Sequence, residues 1–364
     1  MHRILPMTSV SERAWMEVDL AALLANAAAV RGRSGALLLP MVKADAYGLG
    51  ADKVTAALEG LEPWGYGIAT IEEGQALRAS GIDRPIVLFT PLLPEELPAA
   101  HEARLTPSLG SRTAIESWAM YGSPYHLAID TGMSRAGIQW RDVGSIFDAL
   151  ERYPPEGAYT HFHSAALHDG SIAMQEQRFR DAVSQLPERP RILHTEASAA
   201  IERHGPSEWT VTRPGIFLYG VSSGEGAMID AEPVVHVRAR IVETRVLEAG
   251  DTVSYDATYT AETTRLIATI PMGYADGYPR SLSNVGSGIV RGRRVPIAGR
   301  VTMDMIMLDV TDTGCEVGDV VTMIGTEPDG DTELGVSDVS ALAGMSYYEL
   351  LTGLRGRLHR IYTN

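Results

Sequence analysis

Ala36-Leu37-Leu38-Leu39-Pro40-Met41-Val42-Lys43-Ala44-Asp45-Ala46-Tyr47-Gly48-Leu49-Gly50 is an apolar run that ends on an amine and passes into a glycine loop. A continuous apolar run of this length predicts a strand covered on both faces. Among the 31 basic residues only Lys43 and Lys53 are lysines. A desolvated lysine can lose its proton and form an imine, and an arginine can do neither. Lys43 is therefore a candidate Schiff-base nucleophile. For a lysine seen alone, a side chain snorkelling from a strand end is the plainer reading, so its surroundings must decide.

Outward from this stretch, similar short runs recur at 65–70, 86–89, 125–129, 157–163, 191–194 and 215–218. Helical patterns lie among them: one opened by Asp19 as N-cap, with Leu20, Leu23, Leu24 and Ala27 at helical spacing, and others at 71–80, 143–152 and 172–186. Strand then helix, repeated about eight times, predicts an N-terminal (β/α)8 TIM-type barrel over residues 19–235. A doubly wound open sheet is the alternative, but no Gly-x-Gly-x-x-Gly turn follows an early strand. After residue 235 the texture changes. Short strands are expected at 238–247, 265–271, 288–290, 295–297, 305–310 and 319–324, separated by turns such as Glu248-Ala249-Gly250-Asp251. This predicts a C-terminal mostly-β domain, 236–364, with the segment 1–18 joining it.

The chain has 364 residues, is 45% hydrophobic and carries a net charge of −15. It can bury a large core, and its acidity argues against nucleic acid or an anionic membrane as a partner. One cysteine, Cys315, leaves no internal disulfide framework and suits a reducing compartment. The opening residues lack the apolar core of a secretory leader, and no stretch approaches about 18 uninterrupted apolar residues. A cytoplasmic protein without a membrane span is expected.

In a (β/α)8 barrel, functional groups gather where strands end and βα loops begin. Besides Lys43, the polar residues at such points are 130–135, His161 with His163, 194–198, and 213–216. If extended, His161-Phe162-His163 presents both imidazoles on one face. Without a third ligand at a recognisable spacing, a hydrogen-bonding or base-positioning role ranks above a metal site. Arg213-Pro214-Gly215-Ile216 offers a fixed turn whose exposed amides could hold a phosphate, though an arginine beside a turn is commonly a surface residue. Tyr255 and Tyr259, in Val253-Ser254-Tyr255-Asp256-Ala257-Thr258-Tyr259, would ordinarily be packing tyrosines of a β region.

Taken together, these stretches resemble alanine racemase, a family of pyridoxal-phosphate enzymes with a barrel and a β domain. The shared segments run in order across nearly the whole chain. They are Trp15-Met-Glu-Val-Asp-Leu20, Val42-Lys43-Ala-Asp-Ala-Tyr47-Gly48, Asp130-Thr-Gly-Met-Ser-Arg135, Tyr159-Thr-His161-Phe162 and Arg213-Pro-Gly215-Ile216. The β region adds Val253-Ser-Tyr255-x-Ala-Thr-Tyr259, Gly273-Tyr274-Ala-Asp-Gly277 and Gly299-Arg300-x-x-Met303-Asp304.

The resemblance implies racemisation of L- and D-alanine with pyridoxal 5′-phosphate, by two bases on opposite faces. Lys43 would hold the cofactor and act as one base; Tyr255 would be the other, in a hydrogen-bonded chain with His161 and Arg213. Arg213 would also face the pyridine nitrogen, with Arg280 extending the chain. Tyr47, Ser198, Gly215 and Ile216 would meet the phosphate. Arg135 and the Met303 amide would meet the substrate carboxylate, with Tyr274 and Asp304 at the entrance. A homodimer with shared active sites is implied, Tyr255 reaching the other subunit's barrel. Three positions depart from the pattern: Ala128 where many members carry a carbamylated lysine, Ala197 where an asparagine is frequent, and Gly356 where a phosphate-binding tyrosine is common. A serine, lysine or broad-specificity racemase is a close alternative. A PLP carrier would lack the second domain, and a metal-assisted PLP aldolase would need a His-x-Asp-x-Cys signature absent here.

Overall fold

The computed structural model describes residues 13–328, 330–354 and 356–364. Eight short strands run parallel: Leu37–Leu38, Tyr66–Ile68, Ile86–Leu88, Thr106–Leu109, His126–Asp130, Gly157–Tyr159, Ile192–His194 and Val211–Thr212. The second to the seventh pair in sequence order, and the eighth pairs with the first. Hydrogen bonds from Trp64 N to Leu38 O (2.8 Å) and Gly67 N to Pro40 O (2.9 Å) join the first strand to the second. Thr210 N to Leu193 O (3.0 Å) and Arg213 N to Glu196 O (2.9 Å) join the seventh to the eighth, so the ring closes as a (β/α)8 barrel. Leu39, Val87, Ile192 and Val211 meet in its interior beside Trp64 and Phe89. Fully burying each such aliphatic side chain contributes about 1.5–3 kcal/mol.

The barrel strands differ from the sequence reading at three places. The segment 215–218 is not a strand. It lies largely in the 3-10 turn Ile216–Tyr219, and the eighth strand is Val211–Thr212. Pro214 lacks the N–H needed to continue a ladder. The strand expected over 157–163 stops at Tyr159, which frees His161 to lie in the loop. Thr106–Leu109, unnoticed because Pro107 interrupts it, is a full barrel strand.

Residues Ala22–Glu232 form one compact unit, and Pro233–Asn364 with the described residues up to Ala21 form a second. In the second, one sheet orders its strands Arg293–Pro296, Ser287–Val290, Val320–Thr326, Val235–Arg240, Ala14–Asp19 and His359–Thr363. Ala14–Asp19 runs antiparallel to Val235–Arg240 and parallel to His359–Thr363. The expectation for segment 1–18 falls partly outside the described residues, since 1–12 are not among them. The run 238–247 is two strands, not one: Val235–Arg240 and Glu243–Leu247 belong to different sheets. Glu243–Leu247, Arg265–Ile270 and Ile306–Asp309 make a second sheet, over a core of Leu247, Val253, Ala261, Ile267 and Ala298. Among the described residues no helix is long and apolar enough to cross a membrane.

Candidate active site

Lys43 opens a turn that is left-handed. Ala44, Asp45, Ala46 and Tyr47 have φ of 54, 56, 52 and 56°, and Gly48 follows at 92°. Each non-glycine residue there costs about 1–2 kcal/mol, so the turn persists only because its surroundings hold it. The Glu73 carboxylate accepts from Ala44 N at 2.6 Å, and Asp45 Oδ1 accepts from Ala51 N at 2.8 Å. The turn aims Tyr47 into the barrel. There its buried ring lies 4.6 Å from that of Tyr219, whose hydroxyl donates to Met41 O at 2.7 Å. In the single chain Lys43 remains exposed on one side. The protein around its amine still lowers its proton affinity, first through burial and then through Arg135, while Glu73 acts in the opposite direction.

Ser198 Oγ accepts from Gly215 N at 2.9 Å and Phe217 N at 3.3 Å, drawing the amides of the 3-10 turn together. A Cβ on Gly215 would stand 2.5 Å from the Tyr47 hydroxyl, so this side chain can approach only because the glycine has none. Ser198, Gly215, Ile216 and Tyr47 thus lie together in one small cluster. It offers amide, hydroxyl and phenol hydrogen-bonding groups of the kind an anionic oxygen needs.

Arg213 is fully enclosed. Its Nη1 donates to His194 O and to His194 Nδ1, both at 2.8 Å. Its Nη2 donates to Thr160 O (2.8 Å) and Thr195 O (2.9 Å), and lies 3.4 Å from His161 Nδ1. A guanidinium only donates, so His194 Nδ1 must be the acceptor and its proton sits on Nε2. That proton points at His126 Nδ1, 2.8 Å away. Arg213, His194 and His126 therefore form a directed chain through the barrel interior, with Tyr159 stacked on His194 at 5.1 Å. Burial, then the Arg213 charge, holds His126 down to about 3; His194 is lowered by the same two causes, and by His126. His161 is also held down to about 3, by burial first, then by Arg213, Arg135 and Lys43. Burial lowers Arg213 itself to about 10, which leaves it charged at neutral pH.

The two histidines of His161-Phe162-His163 separate: His161 faces Arg213, whereas the exposed His163 Nδ1 pairs with Ser164 Oγ at 2.6 Å. Among the described residues no group of three His, Cys, Asp or Glu side chains could hold a metal. Asp130 organises the loop before Arg135, accepting from Gly132 N, Ser134 N and Gln139 Nε2. Arg135 is exposed, with no ion pair among the described residues.

In the β unit, Tyr255, Tyr274, Arg280, Met303 and Asp304 line one groove of about 1350 Å³. Tyr255 is 69% exposed, on a turn whose approach is pinned by Ser254 Oγ donating to Arg300 O at 2.9 Å. Arg357 binds both oxygens of Asp276 at 3.0 Å and Asp304 Oδ1 at 2.7 Å, tying the two loops that carry Tyr274 and Met303.

The family profile "Alanine racemase, N-terminal domain" matches residues 18–223, and "Alanine racemase, C-terminal domain" matches 234–362. The chain belongs to the alanine racemase family. An alanine racemase from Citrifermentans bemidjiense is 37% identical over 371 residues, covering 95% of this chain and 98% of that one. The solved alanine racemase of Streptomyces coelicolor A3(2) is 33% identical, with a TM-score of 0.89, over 97% of this chain and 98% of its own. The alanine racemase of Bartonella henselae, solved with covalently bound pyridoxal phosphate, is 28% identical. Its TM-score is 0.89, over 97% of this chain and all of its own.

Sequence reasoning missed Glu73 and His126, and marked His194 without assigning it a role. Glu73 carries no motif signal, being one helix-start carboxylate among many. His194 lies at a strand end that the pattern marks, yet nothing local gives it a role. His126 is 68 positions from its partner His194, a separation no local pattern bridges. At the family's variable positions, Ala128 is buried with its carbonyl against Gly137, where a Cβ would stand 2.7 Å from that oxygen.

Proposed function

We propose that this chain interconverts L- and D-alanine with pyridoxal 5′-phosphate, using Lys43 and Tyr255 as bases on opposite faces. The supporting observation is the gathering of three things where barrel strands end: a lysine of lowered proton affinity, the Ser198–Gly215–Tyr47 cluster, and the buried charge of Arg213. The residues fit the cofactor, because the bare Gly215 lets the Tyr47 hydroxyl close on the turn beside Ser198, gathering groups that bind anionic oxygen.

Pyridoxal phosphate, when bound, supplies an aldehyde that condenses with amines and a ring that delocalises the charge left by a departing Cα proton. Lys43 would hold it, with Tyr47, Ser198, Gly215 and Ile216 at the phosphate. The permanent proton of Arg213 would face the ring nitrogen and keep it unprotonated. Racemisation needs one proton removed from Cα and another delivered to the opposite face, so neither base can do both. Lys43 Nζ serves one face and Tyr255 Oη the other. Arg135 and the Met303 amide orient the substrate carboxylate, with Tyr274 and Asp304 at the entrance.

Tyr255 and Lys43 are both exposed in the single chain, as a shared site would require. We read the working form as a homodimer in which each Tyr255 serves the partner's barrel. The single buried cysteine, Cys315, supports a cytoplasmic setting.

The test is incubation of purified protein and pyridoxal phosphate with L-alanine, L-serine and L-lysine in D2O, followed by chiral analysis. D-Alanine bearing deuterium at Cα is expected. Faster conversion of serine or lysine would reassign the substrate, and no exchange on any of the three would refute the reading.

A further inference from the structure

Lys43 does not meet its surroundings alone. Three charged or titratable groups face it from separate elements: Arg135, from the loop after His126–Asp130; His161, beyond Gly157–Tyr159; and Glu73, in the helix Ile71–Ala79. Glu73 is the only acid of the three. Half-buried, it also makes an unusual set of contacts. Oε1 accepts from Ala44 N at 2.6 Å, while Oε2 accepts from Ala69 N at 2.8 Å and Thr70 N at 3.3 Å. Thr70 Oγ1 in turn accepts from Glu73 N, which closes a capping box. One carboxylate therefore caps its own helix and reaches back to the preceding βα loop, where it holds the first left-handed residue after Lys43.

Resting on the reading of Lys43 as cofactor lysine and base, we propose that Glu73 is a positioning residue for Lys43. It clamps the left-handed turn through the Ala44 amide, next to Lys43, and its negative charge opposes the effect of Arg135 and burial on the amine. Both actions need the carboxylate. A glutamine has a single acceptor oxygen, so it could keep the Ala44 bond or the helix cap but not both, and it carries no charge; an aspartate keeps both oxygens and the charge on a shorter side chain.

The composition of the chain makes the test unusually clean, because Lys53 is the only other lysine and lies exposed. Full-length protein, freed of cofactor with hydroxylamine, is labelled with trace acetic anhydride across a pH series. Mass spectrometry then reads acetylation of Lys43 relative to Lys53. Glu73→Gln should move the Lys43 labelling midpoint to lower pH, making Lys43 more reactive relative to Lys53 below the midpoint. Glu73→Asp should return the midpoint toward wild type. A midpoint that stays put or rises in Glu73→Gln overturns the proposal, as does an aspartate variant that behaves like the glutamine. Circular dichroism on each variant checks the fold, and the aspartate form carries the test should the glutamine form not fold. A Lys43→Ala chain that still holds pyridoxal phosphate covalently would sink the assignment of Lys43 and leave the labelling result standing. An unmoved midpoint in a chain whose cofactor sits on Lys43 would sink only the role of Glu73.

Discussion

Gly215→Ala adds one methyl group at the most crowded point of the barrel mouth. The new Cβ would stand 2.5 Å from the Tyr47 hydroxyl, 3.3 Å from its Cζ and 3.6 Å from Met41 Cβ. Ordinary van der Waals contact begins near 3.4 Å, so the phenol must retreat by nearly an ångström. It has little room to do so. Tyr219 packs against its ring at 4.6 Å, and the backbone at Tyr47 is already committed to a φ of 56°. The φ at Gly215 is −127°, so the penalty is contact rather than left-handed strain. Overpacking of this kind costs about 1–3 kcal/mol, which for a unit of this size lowers Tm by roughly 3–10 °C. Because the displaced hydroxyl belongs to the proposed phosphate cradle, the dissociation constant for pyridoxal phosphate should rise at least about tenfold, or 1.4 kcal/mol. Differential scanning calorimetry and cofactor fluorescence titration measure the two effects. A Gly215→Ala chain with unchanged Tm and unchanged cofactor affinity would refute the packing argument. A lowered Tm with unchanged affinity would detach the cradle from the cofactor.

Tyr255→Phe removes the proposed second base from an exposed turn, so racemisation should fall by at least about 10²-fold while pyridoxal phosphate stays bound; near-wild-type turnover in both directions would exclude it. Stability should fall as pH drops from about 6.5 toward 3. His126 is depressed to about 3 in the fold, so below 6.5 the unfolded chain binds the proton that the folded chain refuses. The slope for this one group is about 1.4 kcal/mol per pH unit. Urea midpoints at pH 7.5 and 4.5 should therefore differ less in His126→Phe than in wild type, and equal differences would overturn the linkage.

Most of the barrel strands, the helix at 71–80 and the strand-end positions of Lys43 and Arg213 were legible in the sequence, although the run 36–42 forms only the short strand Leu37–Leu38, with Leu37 exposed. Periodicity and turn chemistry are local, and in a parallel barrel strand order follows chain order. What misled was also local: Pro107 hid a strand, and the apolar run 215–218 concealed a 3-10 turn. The site itself was legible only as a set of separate residues. Of Ala44-Asp45-Ala46-Tyr47 only Asp45 has any local tendency toward the left-handed region; the turn is held by Glu73, 29 residues later, accepting from the Ala44 amide, and by Asp45 accepting from Ala51 N. Likewise the directed chain from Arg213 through His194 to His126 spans three strands, and only ring closure brings its members within hydrogen-bond distance. Composition and pattern determined which residues could serve and on what architecture. Tertiary structure decided their geometry and proton affinities, because burial and charge pairing depend on neighbours that the chain supplies from far along its length.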